Sequence, residues 1–342
     1  MSLRTPDYKP GLAWFLIFAL CWATGLLYAG AFTTSIEAGM AFPDWPLSNG
    51  SLNPQDWMTK QDQRAEHGHR LLGMKLGFLA ICVVGWTQLR ESRKRVRQLA
   101  WFLLGIIIFQ GLLGGLRVLL DQTNIGTDHN LIAQTFAVLH ALGAQLVLCT
   151  LVALALVCSR WWIRREGPLA LTASAWSGLP TLGLGTCGIV LVQILLGAVM
   201  RHADAGLAIP TFPLTPEGGL IPSWWSFDVA IHFAHRVGAV IATAALLLFW
   251  TRVWKDNGLR PHVWAWVVAG NALLAIQIYL GAATIWSMKQ PWTATLHMLV
   301  GAFLLASTWV LTLLLVRLQA TATEEYHAPA KPKSRPTSLT PA

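Results

Sequence analysis

Eight apolar stretches run through this chain, near residues 12–32, 68–89, 99–120, 131–158, 178–200, 229–251, 262–286 and 293–316. Each is long enough to cross a hydrocarbon core of roughly 30 Å as a helix. This predicts an all-α membrane protein with eight transmembrane helices. Composition agrees: 54% of residues are hydrophobic and 12% charged, a balance that excludes a soluble enzyme.

The formal charge of +9 would suggest nucleic acid in a soluble protein, but its placement points to topology. Arg90, Arg93, Lys94, Arg95 and Arg97 fill one short connection, Arg160, Arg164 and Arg165 the next on that side, and Arg252, Lys255 and Arg260 the third. Arg4, Lys9, Lys331, Lys333 and Arg335 lie at the termini. By the positive-inside rule the basic connections and both termini are cytoplasmic. The first span follows a short N-terminal stretch (1–11) without a convincing cleavage site, so it reads as a retained helix, and without an Arg- and Ser-rich transit peptide a bacterial plasma membrane is expected. Cys21, Cys82, Cys149, Cys158 and Cys187 fall in the spans or at their ends. Their spacing supports neither disulfides nor a cysteine metal site.

The eight spans divide into two copies of one unit. EAGMAFPDWPLSNGSLNP (37–54) aligns with DAGLAIPTFPLTPEGGLIP (204–222), matching Gly39 with Gly206, Pro43 with Pro210, Pro46 with Pro213 and Leu52 with Leu220. The same register aligns Gln110-Gly-Leu-Leu-Gly with Gln277-Ile-Tyr-Leu-Gly. Four spans per copy is an even number, so both copies insert in the same orientation, as two tandem four-helix bundles at 12–160 and 175–317. Loops 33–65 and 202–228 are expected to fold as lids over the outer ends. The polar, Pro-rich residues 318–342 are expected to be disordered, which excludes His327 as a ligand.

A polar imidazole within the bilayer is costly and marks a functional position. His69 and His140 lie in the first copy, His235 and His297 in the second, all on spans that run from outside to inside. All four are therefore in the outer half of the membrane. Paired imidazoles on facing helices suit the axial positions of a heme iron. Zinc fits less well, because no cysteine or second carboxylate joins either pair. The copies differ one turn outward, where the first has Glu66 and the second His232. A carboxylate there can move protons or stabilise positive charge, or it can orient an imidazole. The difference suggests one working site and one electron-relay site. Arg70 and Arg236 follow pair histidines and suit either anionic propionates or lipid headgroups.

These residues resemble the heme A synthase family over nearly the whole chain. The resemblance rests on Glu66, His69 and Arg70 as Glu-x-x-His-Arg, on His140, on His235-Arg236, on His297, and on the loop Gly39, Pro43, Trp45, Pro46. It implies oxidation of the C8 methyl of heme O to a formyl group, giving heme A for cytochrome oxidase. It also implies that His69 and His140 flank the substrate heme, that Glu66 is the catalytic carboxylate, and that His235 and His297 ligate the iron of heme b. The implied partners are the heme O synthase that supplies the substrate, the assembling cytochrome oxidase and an electron partner whose identity stays open; a homo-oligomer is compatible. Two departures stand out. The first outer loop lacks the cysteine pair of some members, which excludes a thiol relay there. Thr34 stands where an arginine is expected, while the second copy keeps Arg201, so propionate anchoring in the first copy falls to Arg70 or Arg117. The competing readings are a diheme electron-transfer subunit that oxidises quinol, and a heme transporter or chaperone.

Overall fold

A computed structural model describes residues 7–121, 130–163 and 178–326. Arg164, Arg165 and His327 lie outside the described residues, as does the tail from 327. Among the described residues the eight long helices are α1 (Pro10–Ser35), α2 (Gln61–Arg90), α3 (Lys94–Asp121), α4 (Leu131–Val157), α6 (Leu179–His202), α7 (Phe227–Lys255), α8 (Arg260–Trp286) and α9 (Pro291–Tyr326). A single turn, α5 (Arg160–Ile163), follows α4. All eight long helices are apolar enough to cross a membrane. The protein is a multi-pass membrane protein.

Local chemistry sets the helix ends. Proline at the first turn opens α1, α6 and α8, where its missing N–H removes nothing from the helix. Asn130 caps α4 by accepting from the Ala133 amide at 3.0 Å, and Ser226 caps α7 by accepting from Val229 at 3.3 Å. Glu37 and Asp204 follow α1 and α6 at equivalent places, with φ of 58° and 53°, the left-handed geometry that ends a helix. α2 begins at Gln61, so a polar turn carrying Asp62, Arg64, Glu66 and His67 precedes its apolar run. α9 continues to Tyr326, past Arg317, where a disordered tail was expected to begin. The sequence Gln-Ala-Thr-Ala-Thr-Glu-Glu after Leu318 holds no Gly or Pro to stop it.

α1 to α4 pack around one core that includes Leu16, Val83, Leu103 and Leu151, and α6 to α9 around a second that includes Leu246, Phe249, Trp250 and Leu311. Large apolar side chains such as Trp14, Phe78, Val240 and Tyr279 face outward, as lipid requires. Three buried threonines bond within their own helices: Thr308, Thr312 and Thr186 each donate at 2.8 Å to the carbonyl one turn earlier. Between the halves, α1 packs on α9, α6 packs on α4, and α4 packs on α9. Since α6 corresponds to α1 and α9 to α4, this is the pairing that two copies related by a two-fold axis between α4 and α9 would make. Trp309 in α9 donates to the Cys149 carbonyl in α4 at 3.1 Å across that seam.

On the side of the basic connections, Arg93 grips buried Glu91 through two hydrogen bonds of 2.9 and 2.8 Å. It also donates to the Val157 carbonyl at the end of α4 at 2.7 Å. One guanidinium thus joins the α2–α3 turn to an orphan helix carbonyl.

Candidate functional site

The four histidines form two pairs of nearly identical geometry. His69 of α2 faces His140 of α4, with ring centres 6.4 Å apart and planes at 89°. His235 of α7 faces His297 of α9 at 6.5 Å and 76°. All four rings are half-buried, with surface that protein leaves uncovered. Each ring also rests its Cε1 on a glycine of the helix that precedes its own. A Cβ would lie 2.7 Å from His69 at Gly30, 3.2 Å from His140 at Gly114, 2.9 Å from His235 at Gly197 and 3.0 Å from His297 at Gly281. These glycines fall in the repeat register, so each half fixes its rings by the same close approach of backbone.

Hydrogen bonds differ among the rings. His140 Nδ1 donates to the Gln110 carbonyl at 3.1 Å, because a carbonyl only accepts. That leaves its Nε2 lone pair free for a metal. The Gln193 amide lies 3.1 Å from His235 Nδ1, and the Gln277 amide 3.4 Å from His297 Nε2. His69 Nδ1 and His297 Nδ1 are both buried with no hydrogen bond, near the backbones of Leu26 and Gln277.

The loops after α1 and α6 are each fastened to the head of the helix that follows. In the first half, Arg70 donates to the carbonyls of Asp44 (2.8 Å), Leu47 (2.6 Å) and Phe42 (3.3 Å), and to Ser48 Oγ (3.2 Å). It also pairs with Glu66 at 2.5 Å. Buried Glu66 accepts the Phe42 amide at 2.9 Å through its other oxygen. His67 Nδ1 lies 3.0 Å from Ser48 Oγ, beneath the edge of Trp57. In the second half, Arg236 donates to the carbonyls of Ile209 (2.9 Å) and Thr211 (2.5 Å). His232 Nδ1 accepts the Ile209 amide at 3.3 Å. The Trp45–Pro46 and Phe212–Pro213 bonds are both cis, at equivalent places in the two loops.

The COX15-CtaA family, described as cytochrome oxidase assembly protein, matches residues 13–309. The chain belongs to this family. It is 32% identical over 266 residues to a heme A synthase of Symbiobacterium thermophilum, covering 74% of this chain and 78% of that one. It is 30% identical over 331 residues to the heme A synthase of Sphingopyxis alaskensis (84% and 88% covered), and 28% identical over 321 residues to that of Erythrobacter litoralis (82% and 89%).

In this COX15-CtaA member the histidine pairs fit a heme iron. Two imidazoles bound about 2 Å from one metal hold their ring centres roughly 6 to 6.5 Å apart, and both pairs meet that separation. Among the described residues no group of three His, Cys, Asp or Glu gathers to hold a metal otherwise.

The four arginines suggested by the sequence take two kinds of place. Arg70 and Arg236 bind the lids. Arg117 of α3 lies against Gly39 of the first lid, within electrostatic reach of His69 and His140. Arg201 of α6 crosses to the first half, donating to the Ala31 carbonyl at 3.0 Å and Ser35 Oγ at 2.8 Å, and contacts Met298 beside His297. Sequence reasoning missed the four supporting glycines and the role of Gln193. The register that aligns Gln110 with Gln277 also aligns Gly114 with Gly281 and Gly30 with Gly197, so the repeat could have found the glycines.

Proposed function

We propose that this chain is a heme A synthase, oxidising the C8 methyl of heme O to a formyl group to give heme A for cytochrome oxidase. Family membership and relatives of that name support the reaction. The observation that carries it to residues is the pair of equivalent two-imidazole clamps, 6.4 and 6.5 Å between ring centres. In this reading His69 and His140 flank the substrate heme, and His235 and His297 ligate the iron of a resident heme b. Heme b, when bound there, would supply a redox-active iron for electron transfer.

The chain's own residues then have separable tasks. The Gln110 carbonyl keeps the His140 proton on Nδ1, so Nε2 faces the substrate heme. Glu66, one turn outward of His69, takes up a proton from the reacting carbon or stabilises positive charge there. Arg117 and Arg201 pair with heme propionates in the first and second half. The lids, held by Arg70 and Arg236, exclude water from the outer ends. Heme O arrives from the synthase that makes it. We place both termini and the basic connections on the cytoplasmic side of a bacterial plasma membrane, which puts both clamps near its outer face.

Pigment analysis of the purified protein tests this reading. We expect heme b together with heme O or heme A, and loss of the low-spin heme b absorption in His235→Ala and His297→Ala. Heme b alone in both sites, or a normal heme b signal in both variants, overturns it.

A further inference from the structure

We infer that Gln193 is a positioning residue that makes the second half retain its heme, and that Leu26 at the equivalent place makes the first half a site that releases its own. This rests on the proposed function and extends it to what separates a resident heme from a substrate.

Gln193 of α6 reaches the His235 ring from one turn inward. Its amide nitrogen lies 3.1 Å from Nδ1 and donates to the His235 backbone carbonyl at 3.0 Å. Gln277 of α8 stands beside His297 differently: its amide nitrogen is 3.4 Å from Nε2, and His297 Nδ1 is left without a partner. Both glutamines hold a buried Oε1 with no partner. An amide offers donor and acceptor on one end, and its terminal torsion is broad. Once an imidazole turns Nε2 to iron, its Nδ1 carries a proton, and a neighbouring Oε1 is the acceptor that fixes the ring.

The first half lacks this device. The repeat register places Leu26 where the second half has Gln193. His69 Nδ1 is buried without a hydrogen bond, although the Leu26 carbonyl lies near it. Gln110 and Gln277 are equivalent, and their side chains pack alike on Gly143 and Gly301, so this pair does not distinguish the halves. So a side-chain amide stands at His235 Nδ1 in the second half, and leucine stands at the equivalent place beside His69. A ligand whose ring is pinned leaves the iron slowly. A ligand without that side-chain amide lets the iron go more readily, as a substrate site must once the formyl group is made.

The test follows heme release from the purified protein to excess apomyoglobin, with the midpoint potential of the retained heme read in parallel. Two phases are expected, the fast one from the first half. Gln193→Met keeps the volume and removes the amide, and should speed the slow phase about tenfold, the usual scale for losing a group that orients a ligand. Gln193→Glu should keep the heme and lower its potential, because an anionic acceptor makes the imidazole more electron-donating. Leu26→Gln should slow the fast phase by a similar factor. Unchanged release in both Gln193→Met and Leu26→Gln overturns the inference, as does an unshifted potential in Gln193→Glu. If the slow phase survives His235→Ala and His297→Ala, the assignment of heme b to the second half fails instead.

Discussion

Glu66 and His232 do the same structural work in the two halves. Glu66 Oε2 accepts the Phe42 amide at 2.9 Å, and His232 Nδ1 accepts the Ile209 amide at 3.3 Å. Phe42 and Ile209 are themselves equivalent in the repeat. A latch between lid and helix therefore exists in both halves, and only the first makes it with a carboxylate. The latch made by Glu66 is thus separable from the proton-transferring role proposed for it.

Glu66→Gln separates them. Glutamine can still accept the Phe42 amide, so the lid should stay closed and heme binding should persist. Heme A formation should fall by about a hundredfold or more, the range expected for loss of a proton-transferring group, and heme O should accumulate in extracted pigment. Glu66→Ala should lose the latch as well. Full heme A production in Glu66→Gln would reduce this residue to a latch.

The two lids should differ in strength. Arg70 serves four lid acceptors and a buried carboxylate, whereas Arg236 bonds lid carbonyls alone. Arg70→Ala strands Glu66 and should cost about 3 kcal/mol, the scale for breaking a buried ion pair. Arg236→Ala should cost about 1–2 kcal/mol. Hydrogen exchange at residues 42–48 and 209–213, with thermal unfolding, measures both; equal effects would contradict the contribution assigned to Glu66.

Alanine at Gly197 or Gly281 sets helix propensity against ring placement. In an exposed helix the change would stabilise by roughly 0.5–1 kcal/mol. Here the new Cβ would meet the His235 or His297 ring at 2.9 or 3.0 Å. The expected result is unchanged helix content by circular dichroism with a shifted low-spin heme spectrum. Alanine at Gly25, which has open space around it, is the control and should leave the spectrum alone.

The Glu91–Arg93 clasp predicts an acid limit. Burial alone would raise the Glu91 carboxyl, but hydrogen bonds and charge from Arg93 outweigh it and hold the group below its ordinary 4.5. A carboxylate depressed in the folded state stabilises above its unfolded value, and that contribution is lost as pH falls through the folded one. Thermal stability should thus draw on this pair in full at neutral pH, with no pH dependence from it there, and should fall below about pH 4.5. Glu91→Gln should begin with a lower midpoint and show a flatter acid slope. An identical slope in both proteins would remove the clasp from the acid response.

The sequence by itself determined the eight spans, because a helix must satisfy its own backbone in lipid and its apolar length is visible residue by residue. It also determined which histidines correspond, since a duplication preserves register. The polar first turn of α2 and the extension of α9 were less legible, because neither is apolar and neither contains a breaker. What the tertiary structure decided is direction. Arg70 and Arg236 turn to the lids, Arg201 crosses to α1, and Gln193 turns to a histidine while Leu26 cannot. Spacing along one helix gives the face a side chain occupies, but a hydrogen bond needs the position of the other element. That position comes from packing between helices far apart in the chain.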